Sequence, residues 1–273
     1  MSTRQNAATR FPSRSFSSRL GSMFRVDLRR MLTTSRFYIM LGCSFIMPVL
    51  ILVMTSMVSG TAVTNPSTGV TQTMTSYTNT WQIIAQESSA GMMNMDMTAM
   101  CNINLMYFMA GIFTCLFVAD DFTSGYSKNL FAVRSRKGDY IASKTLSCFI
   151  AGSCFLLAFF LGAIFGGAAA GLPFAFGSAG IAGLVMCMLA KIFLMAVFVA
   201  IFLLMSVFGK HRAWLSITMA LFGGMLLFMM IPMMTPLDTG IMHVGLCLMG
   251  GVIFAAAIGR VSRRVLMTTS LVS

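Results

Sequence analysis

The chain has 273 residues and seven carboxylates: Asp27, Glu87, Asp96, Asp120, Asp121, Asp139 and Asp238. All seven fall in flanks or loops, outside the long apolar runs. One cation, Lys191, lies inside such a run, about eleven residues beyond Gly180. A lysine there costs roughly 3 kcal/mol at the centre of a membrane helix. It either snorkels or pairs across a helix interface, or it lines a candidate substrate cavity and meets an anionic headgroup. Enzymatic chemistry lacks its parts. Gly209-Lys210 is followed by His211, and Leu204 stands where a phosphate-binding loop has its first glycine, so that mode of ATP binding is excluded. No GxSxG or HExxH occurs, and His243 has no evident serine partner. Met92, Met93, Met95, Met97 and Met100 offer thioethers to Cu(I). With 28 methionines in the chain, composition alone accounts for the cluster. The seven cysteines show no CxxC spacing, and six of them lie within apolar runs, so neither a metal site nor a disulfide framework is expected. No catalytic residue, metal or cofactor is assigned to this chain.

The elements that would position these residues are membrane helices. The chain is 57% hydrophobic and 10% charged, against about a quarter charged for soluble domains; its mean hydropathy is +0.84. Six apolar runs, near 37–59, 100–119, 145–171, 180–208, 213–235 and 241–259, are long enough to cross a bilayer. The expected fold is all-α and integral to the membrane: six transmembrane helices preceded by an interfacial helix. The fifth and sixth runs, joined by "PLDTG", should form a tight hairpin. Pro48 should kink the first run, and Gly162, Gly166, Gly167 and Gly171 should let another helix approach the third.

Charge sets the orientation. Residues 1–36 hold eight Arg and one Asp, and the loops 60–99, 172–179 and 236–240 hold neither Lys nor Arg. Positive segments stay cytoplasmic, which places both termini inside. The net charge of +12 thus reflects topology and anionic lipid, and no nucleic-acid partner is expected. Residues 1–19 read as a disordered basic arm and 261–273 as a basic cytoplasmic tail. Between them, 20–260 form the transmembrane domain. Its interfacial helix carries Leu20, Met23, Phe24, Leu28, Met31 and Leu32 at helical spacing, with Arg25, Arg29 and Arg30 on the other side. The external loop 60–99 reads as polar and loosely structured, with a short helix near 80–89.

The most polar internal stretch is the cytoplasmic loop 120–144. Asp120 and Asp121 mark the exit of the second run. Phe122, Tyr126 and Leu130 are spaced four apart, on one helical face, with Ser124 and Lys128 as polar neighbours. A break is expected at Gly138, followed by return to the membrane through Tyr140 and Ile141, with Arg136, Lys137 and Lys144 at headgroup depth. Aromatic and apolar residues among charges suit a docking surface.

This loop resembles that of ABC-2-type permeases, the membrane subunits of ATP-binding-cassette exporters of the lantibiotic-immunity and peptide-antibiotic-resistance kind. The resemblance rests on Asp121, "GYSKNL" from Gly125 to Leu130, Ser135-Arg136, Tyr140 and Ser143-Lys144. Asp-Asp replaces the usual Glu, and Arg134 stands where a Pro often precedes Ser-Arg. The similarity covers about residues 20–260. It implies a coupling contact with a separate cassette ATPase through Asp120, Asp121, Phe122, Gly125, Tyr126, Lys128, Asn129 and Leu130. It also implies that the partner binds ATP and Mg, that a second permease (homodimer or heterodimer) completes the unit, and that the setting is a bacterial cytoplasmic membrane. The substrate would be hydrophobic or amphipathic, such as an antimicrobial peptide or drug. Two other classes remain open: a membrane-anchored immunity or sensor protein binding its ligand through 60–99, and a secondary transporter.

Overall fold

The computed structural model describes residues 15–58, 62–64, 71–73, 77–85, 101–133, 137–176, 180–209, 212–228, 231, 235–237 and 239–269. The Met-rich segment 92–100, Glu87, Asp96, Arg134, Ser135, Arg136, Lys210, His211, Asp238 and most of the arm 1–19 lie outside the described residues.

The first described element is α1 (Phe16–Thr33), capped by the Ser15 side chain, which accepts from the Ser18 amide. It begins four residues earlier than the hydrophobic spacing indicated, because Ser15 supplies the N-cap. Then follow α2 (Ser35–Val58), α3 (Leu105–Thr123), the short α4 (Tyr126–Val133), α5 (Lys137–Ala169), α6 (Gly180–Gly209), α7 (Ala213–Phe228) and α8 (Ile241–Thr269). A two-stranded antiparallel ribbon pairs Ala62–Thr64 with Thr71–Thr73.

Among the described residues, five helices are long and apolar enough to cross a membrane: α2, α3, α5, α6 and α8. The run at 213–235 is described as continuous helix only over α7, whose 16 residues rise about 24 Å, short of a hydrocarbon core of about 30 Å. Ile231 is helical again, and residues 229–230 and 232–234 lie outside the described residues. The sequence-predicted break at Gly138 is absent: α5 starts at Lys137 and runs 33 residues without interruption. Gly138 lies in the first turn of α5, where a Cβ would make only an ordinary contact with Arg263 Cδ at 3.4 Å. The basic tail is helix as far as it is described, since α8 continues to Thr269 and buries Ser262 and Leu266.

Helix α6 is the hub, packing against α8, α7, α3 and α5. Helix α2 lies against α5, and the glycines explain how. A Cβ at Gly162 would collide with the Phe45 carbonyl oxygen, and one at Gly166 would stand 2.8 Å from the Val49 Cα. Close backbone approach at small residues is the usual route to tight membrane-helix packing. Gly162→Val should therefore cost about 1–3 kcal/mol, as overpacking does. Gly42→Ala, with nothing nearby, should leave the thermal unfolding temperature in detergent unchanged.

Within the 60–99 segment, residues 77–85 are built into the bundle. Thr80–Ile83 forms a 3-10 turn capped by Asn79, and Tyr77, Trp81, Ile83 and Ile84 are buried. The Thr80 amide donates to the Pro173 carbonyl at 3.1 Å, and Trp81 stacks on Phe176 with ring centres 5.2 Å apart. Thr80 fills the space left by Gly167, so that glycine serves the loop rather than a helix. Gly171 ends α5 with φ +68, a backbone region that L residues avoid.

At the other end of α5, α1, α3, α4 and the close of α8 converge. Met23, Val118, Phe122, Tyr140, Ile141, Leu203, Val207 and Leu266 form one cluster there. Lys137 Nζ donates to the Leu266 carbonyl at 3.2 Å, capping the last turn of α8.

Candidate functional site at the junction of α1, α3 and α5

Helix α1 buries Met23, Asp27 and Met31, a line four residues apart that includes an acid. A buried carboxylate must find partners, because an isolated charge in an apolar surround is prohibitively unstable. Asp27 finds them on α5. Its Oδ1 lies 2.8 Å from Lys144 Nζ, and its Oδ2 accepts from Ser143 Oγ at 2.5 Å. Lys144 reaches a second carboxylate, Asp121 Oδ2 on α3, at 2.7 Å. Tyr140 OH donates to the same oxygen at 2.9 Å, and Arg30 Nη1 donates to Asp121 Oδ1 at 2.6 Å. Tyr140, Ser143 and Lys144 share one face of α5 because they stand three and four residues apart.

The network is balanced: Asp27 and Asp121 oppose Arg30 and Lys144. Asp121, Ser143 and Lys144 are fully buried, and Asp27 is 1% exposed. Lys144 Nζ also sits 3.9 Å from the centre of the Phe117 ring, a cation–π position. Arg30 spans from the interior to the surface, its guanidinium carbon 4.2 Å from the centre of the Tyr126 ring. Burial works against the Arg30 charge, but Asp121's charge and hydrogen bond outweigh it and raise its pKa. Tyr126 is pushed up by its own burial first, then by the Asp27 charge. Two outer pairs flank the centre: Arg36 with Asp120 at 2.5 Å and Arg19 with Asp139 at 3.0 Å. The Arg36–Asp120 pair is half exposed and worth 0–1 kcal/mol.

Chemically this arrangement is a clamp. Each buried charge faces an opposite charge on another helix, so α1, α3 and α5 are tied at one point. Beyond it the chain turns at Gly125, whose φ of 73 suits glycine, into the eight-residue α4. Tyr126, the first residue of α4, covers the Arg30 side of the clamp.

The residues expected to form a coupling contact therefore divide. Lys128 and Asn129 are exposed on α4, whereas Gly125, Tyr126 and Leu130 are half-buried. Asp121 and Phe122 lie inside the protein, and Asp120 is engaged with Arg36. Phe122 belongs to α3, before the Gly125 turn, so it does not continue a single helical row with Tyr126 and Leu130. Phe122, Tyr126 and Leu130 do not form an exposed aromatic and apolar surface, because Phe122 packs in the cluster beneath α4 and Leu130 rests against it. Lys144, expected at headgroup depth, is instead fully enclosed, because Asp27 and Asp121 supply its counter-charge. Of the interfacial residues, Arg25 and Arg29 are exposed and Phe24 and Leu28 half-buried, as amphipathicity required.

Lys191 lies elsewhere. It is 1% exposed, and its Nζ donates to Thr235 Oγ1 at 2.8 Å and Asn104 Oδ1 at 3.1 Å. Tyr107 OH donates to the Lys191 carbonyl at 2.8 Å. The amine thus staples α6 to the start of α3 and to the segment before α8; it neither snorkels nor lines the described cavity. Thr235→Val should destabilise the protein by about 1–3 kcal/mol by leaving a buried donor unmatched. Thermal unfolding in detergent against Thr218→Val, whose hydroxyl is exposed, measures it.

Sequence reasoning missed Asp27 and Ser143 as a pair and placed Asp27 only as a flanking acid. A signal was present: Asp27 is the sole acid among eight arginines and falls in line with Met23 and Met31. Comparison with family models, with curated proteins and with solved structures found no match.

Proposed function

We propose that the chain is the membrane subunit of an ATP-binding-cassette exporter of the ABC-2 type. In this reading it spans a bacterial cytoplasmic membrane six times, with both termini inside. A separate cassette subunit binds ATP and Mg, and a second permease completes the transporter. The cargo is hydrophobic or amphipathic, an antimicrobial peptide or a drug.

The observation that carries the reading is α4. It is a short helix set off from α3 by the Gly125 turn, offering Lys128 and Asn129 outward. Behind it, the clamp joins that helix to three others. A push on α4 is passed through charge-paired contacts to α1, α3 and α5, which is what a coupling element requires. The basic ends of α1, α5 and α8 gather on the same end of the bundle as α4, in keeping with a cytoplasmic face. The segment around Trp81 packs against the opposite end of α5, so that part of 60–99 is wall rather than a projecting ligand trap.

The test is co-purification. The tagged chain should bring down a subunit bearing GxxxxGK[ST], and Lys128→Glu should abolish that recovery while thermal unfolding of the chain stays unchanged. Equal recovery with Lys128→Glu, or absence of any such subunit, contradicts the reading.

A further inference from the structure

A groove of about 870 Å³ opens beside the clamp, between α1, α5, α6 and α8. Its two ends differ in chemistry. One end is walled by Phe149 of α5, Phe193 of α6 and Leu248 and Val252 of α8. The other carries Arg260 and Arg263 of α8, with Arg19 and Asp139 nearby. Arg19 and Asp139 pair with each other at 3.0 Å, and among the described residues no other acid lines the groove to compensate Arg260 and Arg263. Those two arginines stand three residues apart on one face of α8 and are both exposed.

The two ends are separated along α8 by the fifteen residue steps from Leu248 to Arg263, about 22 Å at the α-helical rise. Ala255 and Gly259 keep the α8 side of the hollow shallow, while Gly251 lets α8 approach α6, a Cβ there standing 2.8 Å from the Phe193 carbonyl oxygen. Leu248 and Val252 on its wall are exposed, so the groove is open to whatever surrounds the bundle at that depth. Around apolar, membrane-length helices, that surrounding is lipid.

We propose that this groove seats an anionic phospholipid, its phosphate on Arg260 and Arg263 and an acyl chain along Phe149, Phe193 and Val252. Guanidinium groups match phosphate oxygens in geometry and charge. The arginines lie at the end where amphipathic α1 rests, which is the headgroup level. The occupant lies against α1 at Arg19 and Leu20 and against α5 at Thr145 and Leu146, so it braces the helices that the clamp ties together. The inference depends on the membrane-spanning helices and not on the transport reading.

The full chain, purified in neutral detergent, is incubated with phosphatidylglycerol or phosphatidylcholine of matched acyl chains, and bound lipid is counted by native mass spectrometry. Phosphatidylglycerol should be retained about thirtyfold better, at about fivefold for each arginine near the headgroup. The double variant Arg260→Gln/Arg263→Gln should lower it to the phosphatidylcholine level. Both changes are at exposed positions, and unchanged thermal unfolding confirms the fold. Ala255→Trp should reduce both lipids with the arginines intact, and excess inorganic phosphate should not displace phosphatidylglycerol. Equal retention of the two lipids, a preference that survives the double variant, or displacement by phosphate alone would overturn the proposal.

Discussion

Lys144→Met is expected to destabilise the protein by about 3–5 kcal/mol, the range for removing one partner from a buried ion pair. The substitution removes the cation between Asp27 and Asp121 and leaves two enclosed carboxylates facing one apolar side chain. Methionine preserves most of the lysine's volume, so the loss is electrostatic rather than a cavity effect. The double variant Lys144→Met/Asp27→Asn should recover a large part of the loss, because Asp121 keeps Arg30 and the net charge of the cluster returns to zero. Thermal unfolding of the detergent-solubilised variants measures both. A Lys144→Met protein as stable as the parent would show that the cluster is not closed as described.

The second large effect separates two neighbouring residues of the same type. Asp121→Lys should prevent stable assembly of the α1–α3–α5 junction. It would place a third cation beside Arg30 and Lys144 and leave Tyr140 OH without its acceptor. Asp120→Lys disturbs only the half-exposed contact with Arg36, worth 0–1 kcal/mol, and should yield folded protein in normal amounts. Fluorescence-detected size-exclusion of the two variants gives the contrast. Equal behaviour of the pair would contradict the inside–outside assignment of Asp120 and Asp121.

Much of the architecture was legible because it follows from one-dimensional patterns. Apolar run length placed five helices that can cross a membrane, and the arginine and leucine periodicity placed α1. The glycines of α5 announced close packing, and α2 is the helix that uses Gly162 and Gly166. What was hidden is three-dimensional. That Lys144 of α5 and Asp121 of α3 meet depends on how the chain returns from α3 through the Gly125 turn and α4 to α5, and hydropathy carries no information on that pairing. Asp27 joins them from more than ninety residues earlier in the chain. The same reasoning explains why Asp121 looked like a surface contact: a carboxylate in a polar loop is normally solvated, and only a matching buried cation reverses that expectation. The run at 213–235 is described as continuous helix over Ala213–Phe228, and residues 229–230 and 232–234 lie outside the described residues. The Trp81 segment was underestimated because its order comes from contacts with residues near 173–176, which local composition does not reveal.

The most direct test of the coupling role is the side of the membrane on which α4 lies. A cysteine introduced at exposed Lys128 should resist a membrane-impermeant thiol reagent in intact cells, relative to the parent chain, and react fully once the cells are permeabilised. Ser127, though adjacent, is 2% exposed and unsuited to the measurement. Labelling of the Lys128→Cys chain in intact cells to the same extent as in permeabilised cells would place α4 outside and contradict the proposed contact with a cytoplasmic ATPase.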